Sequence, residues 1–227
     1  MTSTATVASV SATSGATPAL QTIQLEKVFG SKGAVTKALD GIDLVVEKGE
    51  FVAIMGPSGS GKSTLLNCIA TIENSTAGQI IVDGRDVTRL RGRNLTCFRR
   101  DELGFIFQDG NLIDTLSGYE NIALALSIQK APAAEIDSRV RKMADALDVA
   151  SVLDKRPSQM SGGQRQRVAA ARALVTKPKL VLADEPTGAL DSRNARIMME
   201  SLSTMNKQLG ATILMVTHDA FAASFAH

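Results

Sequence analysis

The sequence predicts an α/β fold in which a mostly parallel sheet carries an inserted helical subdomain. Residues 51–55 form a continuous apolar run that ends in a Gly-rich turn, as expected of a strand buried on both faces. Residues 180–183 and 212–216 are two further apolar runs of this kind, and helical segments separate them, which is typical of parallel sheets. Residues 23–25 and 42–44 alternate apolar and polar side chains, which predicts half-buried strands near the N-terminus.

The middle of the chain departs from this pattern. Residues 119–176 contain no convincing strand, and residues 135–149 place four apolar side chains on one helical face. These side chains are Ile136, Val140, Met143 and Leu147. We therefore predict a helical subdomain at about 115–176, within a domain that spans residues 21–227. Residues 1–20 lack both a basic start and a continuous apolar core, so they are interpreted as a disordered tail rather than a secretion signal.

The composition is that of an ordinary globular protein, with 44% hydrophobic and 21% charged residues. The formal net charge of +2 gives no support to a nucleic-acid-binding surface. Cys68 and Cys97 show neither metal-ligand spacing nor a disulfide framework, which fits a reducing compartment, and Cys68 is expected to be buried. No apolar stretch approaches the roughly 18 residues that indicate a membrane span. A membrane function would therefore need a second polypeptide to cross the bilayer.

A phosphate-binding loop follows the first apolar run. Residues 56–63 match the pattern of Gly, four residues, Gly, Lys and Ser in full, between a predicted strand and a helix that begins at about Lys62. Glycines let backbone N–H groups approach phosphates, and the helix start adds a positive dipole end. Lys62 would reach the outer phosphates, and the Ser63 hydroxyl would bind Mg²⁺. The loop residues are Gly56, Pro57, Ser58, Gly59, Ser60, Gly61, Lys62 and Ser63, and Thr64 follows them.

Two carboxylates end the apolar run at 180–183. Asp184, at the strand tip, is suited to hold Mg²⁺, and Glu185 would then lie beyond the terminal phosphate, where a general base could polarise water. An Asp-Glu-Pro turn that merely caps a strand is the plainer interpretation, and the phosphate loop argues against it.

Three further features each have a plainer interpretation when taken alone. Residues 161–164, Ser-Gly-Gly-Gln, offer N–H groups and a hydroxyl to an anion at a helix start, but could be a flexible helix start. His218 follows the last apolar strand and could be structural. Gln108 follows another strand and could be a surface residue.

Together and in this order, these residues resemble the ATP-binding cassette (ABC) family over nearly all of residues 22–219. The resemblance implies a P-loop NTPase core with a mostly parallel sheet, an N-terminal antiparallel β part and an inserted helical subdomain. It also implies an ATPase that uses ATP and Mg²⁺ and acts as a homodimer, in which the signature residues contact the γ-phosphate held by the opposite subunit. The signature residues are Ser161, Gly162, Gly163 and Gln164.

By the same resemblance, four other positions receive roles. His218 would steady the γ-phosphate and the attacking water, and Gln108 would sense Mg²⁺ and water while it touches the membrane partner. Asp191 would couple the two sites. Phe29 would stack on adenine, where the family often has Tyr. The expected catalytic residues are Glu185, His218 and Lys62, and the expected metal ligands are Ser63, Gln108 and Asp184.

The sequence departs from the family pattern at three places. Met160 replaces the usual Leu before the signature, a swap that nearly conserves volume. Gly188 stands where Ser is more common, with no consequence assigned. Past His218 only a short segment follows, so the cassette is expected to be shortened at its C-terminus.

Residues 98–119 are the most informative about subfamily. They resemble cassettes of the bacitracin-resistance type, within a group that includes macrolide-export and lipoprotein-release cassettes. The implied function is to power a separate permease from the cytoplasmic face of the membrane, for export of or resistance to antimicrobial peptides or related amphiphiles. Residues 109–119 are the expected contact with the permease. Two alternatives remain open: a cassette that acts in translation or DNA maintenance, and a truncated, inactive nucleotide-binding module.

Overall fold

The computed structural model describes residues 17–30 and 35–227, so residues 1–16 of the predicted tail lie outside it. The strands are β1 Leu20–Phe29, β2 Thr36–Val46, β3 Phe51–Met55, β4 Ala77–Val82, β5 Arg85–Asp86, β6 Leu103–Ile106, β7 Leu180–Asp184 and β8 Ile213–Thr217. The helices are α1 Lys62–Ile69, α2 Gly92–Asp101, α3 Gly118–Ile128, α4 Ala133–Ala146, α5 Gly162–Leu174, α6 Ser192–Leu209 and α7 Ala220–Ala223. Short 3-10 turns lie at Ala150–Val152 and Pro157–Gln159.

Two four-stranded sheets form the β structure, and their directions confirm the predicted fold class. The N-terminal sheet is antiparallel, in the order β2-β1-β4-β5. The second sheet is parallel, in the order β3-β8-β7-β6. The predicted subdomain interval contains α3, α4 and α5, and α4 buries Val140 and Met143 on its inner face.

The parallel sheet lies between two hydrophobic clusters, because successive side chains of a strand point to opposite faces. In β7, Val181 and Ala183 belong to the cluster shared with the helices of the inserted segment. Leu180 and Leu182 belong to the cluster shared with α1 and the antiparallel sheet. Both β7 and β8 are therefore buried on both faces, as predicted.

Two predictions need correction. β3 is an edge strand of the parallel sheet and is less buried than predicted: its side chains contact the clusters on both faces, but Val52, Ala53 and Ile54 are only partly buried and Met55 is 48% exposed. The tail was predicted to extend to residue 20, but Leu20 begins β1 with a fully buried side chain, and the Ala19 N–H donates to the Val46 carbonyl at 2.9 Å. Cys68 is buried, as expected. Across residues 17–30 and 35–227, no helix is both long and apolar enough to cross a bilayer.

Candidate functional site

The polar side chains singled out in the sequence gather at one edge of the parallel sheet. β3 leads into the phosphate loop, β7 ends at Asp184, and His218 directly follows β8. Gln108 lies two residues past the end of β6. Since the four strands are parallel, their carboxyl ends share one edge, which is where α/β sheets commonly bind ligands.

The phosphate loop closes against the antiparallel sheet at Gly61. This residue has a φ of +91°, and a Cβ on it would lie 2.4 Å from the Ala38 carbonyl oxygen, so only glycine fits. Gly61 caps α1 without a side-chain hydrogen bond, and the first turn of α1 has no acidic residue. The helix N-terminus is therefore open to an anion.

Lys62 folds back over this loop. Its Nζ donates to the carbonyl oxygens of Gly56, at 2.8 Å, and Pro57, at 2.9 Å. Both acceptors are neutral, so an incoming phosphate would compete well for the ammonium group. The loop thus fits a polyphosphate by charge and by shape.

Ser63 and Asp184 meet although 121 positions separate them in the chain. The Ser63 hydroxyl donates to Asp184 Oδ1 at 3.0 Å. Burial raises the pKa of Asp184, while the hydrogen bond from Ser63 acts in the opposite direction. A hydroxyl and a carboxylate are oxygen ligands that suit Mg²⁺, which otherwise keeps waters and binds phosphate oxygens. This donor set fits the predicted metal.

Glu185 is held in an unusual backbone conformation next to His218. Its φ of +47° is uncommon for a residue with a side chain, and its N–H donates to the Val216 carbonyl at 3.0 Å. The side chain is 16% exposed, and its Oε2 lies 2.8 Å from Nδ1 of His218. The imidazole is largely exposed, so the His218 side of the Glu185–His218 pair faces solvent at the edge of the sheet.

The amide of Gln108 lies against the loop that follows the acid pair. A Cβ on Gly188 would lie 3.1 Å from Gln108 Nε2, and the Gly188 N–H donates to the Glu185 carbonyl at 2.9 Å. The absent side chain at 188 therefore has a structural consequence that the sequence did not reveal, namely that Gln108 can approach this loop.

We expect a Gly188→Ala substitution to displace the Gln108 amide and to lower the maximal rate of the ATP hydrolysis expected from the sequence about two- to tenfold, because small misplacements at a reacting centre are costly. ATP affinity should change little. Steady-state kinetics in a Gln108→Ala background provide the control, since the effect of Gly188→Ala should then disappear. A loss of equal size in both backgrounds would contradict the proposed contact.

The signature residues form the start of α5. Ser161 and Gln164 form a capping box, in which the Gln164 N–H donates to Ser161 Oγ at 3.2 Å and the Ser161 N–H donates to Gln164 Oε1 at 2.9 Å. In the part of the chain that the structure describes, these are the hydrogen bonds of the Ser161 side chain and N–H group, and neither reaches the phosphate loop. Within residues 17–30 and 35–227, Ser161 therefore makes no hydrogen bond to the phosphate loop of its own chain.

Asn194 joins two of the predicted site residues, although it was not itself predicted from the sequence. Its N–H donates to Asp191 Oδ1 at 2.9 Å and its side-chain amide donates to Asp191 Oδ2 at 2.7 Å. A Cβ on Gly163 would lie 2.1 Å from Asn194 Oδ1, so Gly163 is required for this approach. The sequence offered one signal for Asn194, namely that it is the third residue of a helix, α6, that an Asp caps.

The remaining predicted residues lie on β1, in the phosphate loop and on α1. Phe29 ends β1 with 40% of its surface exposed. Residues 57–60 of the loop are exposed, and Thr64 is partly buried on α1.

Comparison with known proteins gives consistent matches. A family model described as "ABC transporter" matches residues 39–188. The uncharacterized ABC transporter ATP-binding protein YvcR of Bacillus subtilis is 51% identical over 91% of this chain and 80% of its own length. The bacitracin export ATP-binding protein BceA of Halalkalibacterium halodurans is 48% identical over 91% of this chain and 81% of its own length.

A similar solved structure is the dimer of the ATP-binding cassette MJ0796 of Methanocaldococcus jannaschii in a post-hydrolysis state bound to ADP and Pi. It matches with a TM-score of 0.83 and 38% identity, over 91% of each chain.

Proposed function

The chain belongs to the ABC transporter family, whose ATP-binding domains hydrolyse ATP, and we propose that it works as half of a dimer that drives a separately encoded membrane permease. The observation that carries the proposal is the convergence of Ser63, Asp184, Glu185 and His218 at one sheet edge, with contacts of 3.0 and 2.8 Å. Phosphoryl transfer to water requires a loop that binds phosphates, oxygen ligands for a metal ion, and groups that act on the attacking water. This edge supplies all three, with the carboxylate–imidazole pair in the last role.

The substrate of this site is ATP. The N–H groups of residues 58–63 and the Lys62 ammonium bind its phosphates, and the exposed ring of Phe29 stacks on the base. Ser63, Asp184 and Gln108 would hold Mg²⁺, which when bound would neutralise charge on the phosphate oxygens. Thr64, in the first turn of α1, is the last of the nucleotide-binding residues at the loop.

Glu185 and His218 carry out the chemistry on the attacking water. The Glu185 carboxylate accepts a hydrogen bond from the water and takes up its proton as the water oxygen bonds to the γ-phosphorus and the bond from that phosphorus to the β-phosphate oxygen breaks, so that ADP leaves. His218, held at 2.8 Å from that carboxylate, steadies the water and the γ-phosphate. Lys62 offsets the charge on the transferred phosphoryl group.

The dimer completes each site. The start of α5 presents the N–H groups of Gly162 and Gly163 and the Ser161 hydroxyl, and these bind the γ-phosphate held by the partner chain. Asp191 and Asn194 link that helix start to the loop after the acid pair. The dimeric MJ0796 structures, which are similar over 91% of each chain, support this arrangement.

A groove beside the predicted permease contact supports a membrane partner. Its volume is about 330 Å³, and it lies between α2 and β6 on one side and α3 and the end of α5 on the other. Three arginines line it and no described lining residue is a carboxylate, while Ile72 and Ile128 are more than half exposed at its rim. Its lining includes Leu103, Phe105, Phe107, Leu124, Arg99, Arg100 and Arg172.

Arg172 connects this groove to residues 109–119. Its guanidinium donates to the Asn111 carbonyl at 2.8 Å and to the Gly110 carbonyl at 3.0 Å, so the segment and the groove form one surface. Arg100 already pairs with Asp101 at 2.7 Å, whereas Arg99 and Arg172 donate to neutral oxygens, so an apolar helix with an acidic side chain near these two suits such a surface. The chain would thereby sit at the cytoplasmic face of the membrane. The resemblance to BceA favours export of, or resistance to, antimicrobial peptides or related amphiphiles.

We expect Ile128→Ser to reduce copurification with the co-expressed permease at least about fivefold. The reason is that an aliphatic side chain that is exposed in the free chain stabilises a complex through the apolar area it buries on binding. Leu209→Ser is the matched control, since Leu209 is 53% exposed and Ile128 is 54% exposed, and Leu209 ends α6 away from the groove. The ATPase rate without permease should be the same in wild type and both variants. Failure of the wild-type chain to copurify, or to hydrolyse ATP when the permease is present, would contradict the proposed function.

A further inference from the structure

An ammonium group lies over one face of the Phe29 ring. The Nζ of Lys27 is 4.6 Å from the ring centroid, within the range of a cation–π interaction. Lys27 and Phe29 are two positions apart on β1, so their side chains leave the same face of the strand. The pairing of β1 with β2 shifts register between Lys27 and Val28, and the two side chains still meet at this end of the strand.

Lys27 is held in this position by a second segment of the chain. Its Nζ donates to Glu73 Oε2 at 2.9 Å and to the Asn74 carbonyl at 2.7 Å. An ammonium group has three N–H donors, and the carboxylate, the carbonyl and the ring face account for them. The Lys27 side chain is only 12% exposed, so its charge is well shielded from water at this place.

The segment that holds Lys27 is itself fixed to β1 and to α1. The Thr76 hydroxyl accepts from the Val28 N–H at 2.9 Å, and the Thr76 N–H donates to the Glu26 carbonyl at 2.8 Å. The Glu73 N–H donates to the Asn67 carbonyl in α1 at 3.1 Å. Since α1 begins in the phosphate loop, the position of the ring is tied to the phosphate end of the site.

We propose that Lys27, anchored by Glu73, is a positioning residue that fixes the Phe29 ring for stacking on the adenine base. This rests on the proposed ATP site. A ring has two faces: the ammonium group occupies one, and 40% of the residue surface is exposed for the base. A fixed cation restricts rotation of the ring and draws π-electron density toward itself, which favours contact of the opposite face with an electron-rich purine.

The test compares ATP with a ligand that has no base. We expect Lys27→Met to weaken Mg-ATP binding by about two- to fivefold, the range for one cation–π contact. Binding of Mg-tripolyphosphate should not change, because the base contact is absent. Isothermal titration of the purified chain measures both affinities, with Lys48→Met as the control: Lys48 is a surface lysine that also pairs with a carboxylate, Asp83, but does not contact Phe29.

Three further variants separate positioning from simple charge or folding effects. Lys27→Arg should retain ATP affinity, since a guanidinium also stacks on aromatic rings, and Glu73→Gln should lose part of it. In a Phe29→Leu background, Lys27→Met should have no further effect. Equal weakening of tripolyphosphate would show that Lys27 acts on the phosphates, and unchanged ATP binding in Lys27→Met and Glu73→Gln would likewise overturn the inference. A wild-type chain that fails to bind ATP would refute the proposed function instead.

Discussion

We expect the Glu185→Gln variant to bind ATP with near-normal affinity. Its rate of ATP hydrolysis should fall by about 10²- to 10⁴-fold, the factor that a general base typically contributes. The substitution keeps the size and the polar contacts of the side chain, because the glutamine oxygen can accept a hydrogen bond from His218 Nδ1 at the observed 2.8 Å. The variant cannot take up a proton from water. ATP then persists between the two chains, so a stable dimer should accumulate with Mg-ATP.

Two measurements check this expectation on the same samples. Phosphate release gives the rate, and size-exclusion chromatography with and without Mg-ATP gives the dimer fraction. Glu135→Gln is the matched control, since Glu135 is an exposed residue in the first turn of α4, which contributes no residue to the site. Hydrolysis near the wild-type rate in Glu185→Gln would remove this residue from the role of base.

The parts of the fold that could be predicted from the sequence are those encoded by short, contiguous residue patterns. The apolar run of β7 and the Gly-rich loop before α1 each specify their local structure within a few residues. The edge position of β3 was not readable, because its composition matches that of the central strands and only the strand order distinguishes them. The early start of β1 was likewise hidden, since Ala19 and Leu20 gain their burial from pairing with Val46, far along the chain.

The same distinction applies to the candidate site. The sequence could nominate Glu185 and His218 separately, but their 2.8 Å contact depends on the parallel pairing of β7 with β8. The contact of Gly188 with Gln108 and that of Asn194 with Gly163 join segments that no local pattern relates. Lys27 escaped notice for this reason too: its partner Glu73 is 46 positions away, in a loop with no motif of its own.

The arrangement of α5 leads to the second large effect. Gly162 has room for a Cβ, which would meet its nearest neighbour, Leu190, at an ordinary contact distance of 3.7 Å. Gly162→Asp should therefore fold normally, and an acidic side chain in the first turn of a helix is even favourable. In the dimer, however, that carboxylate would face the γ-phosphate of the partner site and repel it, so both sites of a Gly162→Asp homodimer should be inactive.

Mixing Gly162→Asp with Lys62→Ala should restore activity if each site is built from two chains. In a mixed dimer one site combines both defects, whereas the other combines an intact phosphate loop with an intact signature. Random pairing makes about half of the dimers mixed, so about a quarter of all sites should be intact in a symmetric two-site assembly. A mixture of Lys62→Ala with Glu185→Gln is the control: these defects lie in the same half-site, so neither site of the mixed dimer is whole and no activity should return. Absence of recovery in the first mixture, with dimers present, would mean that each chain hydrolyses ATP with its own signature.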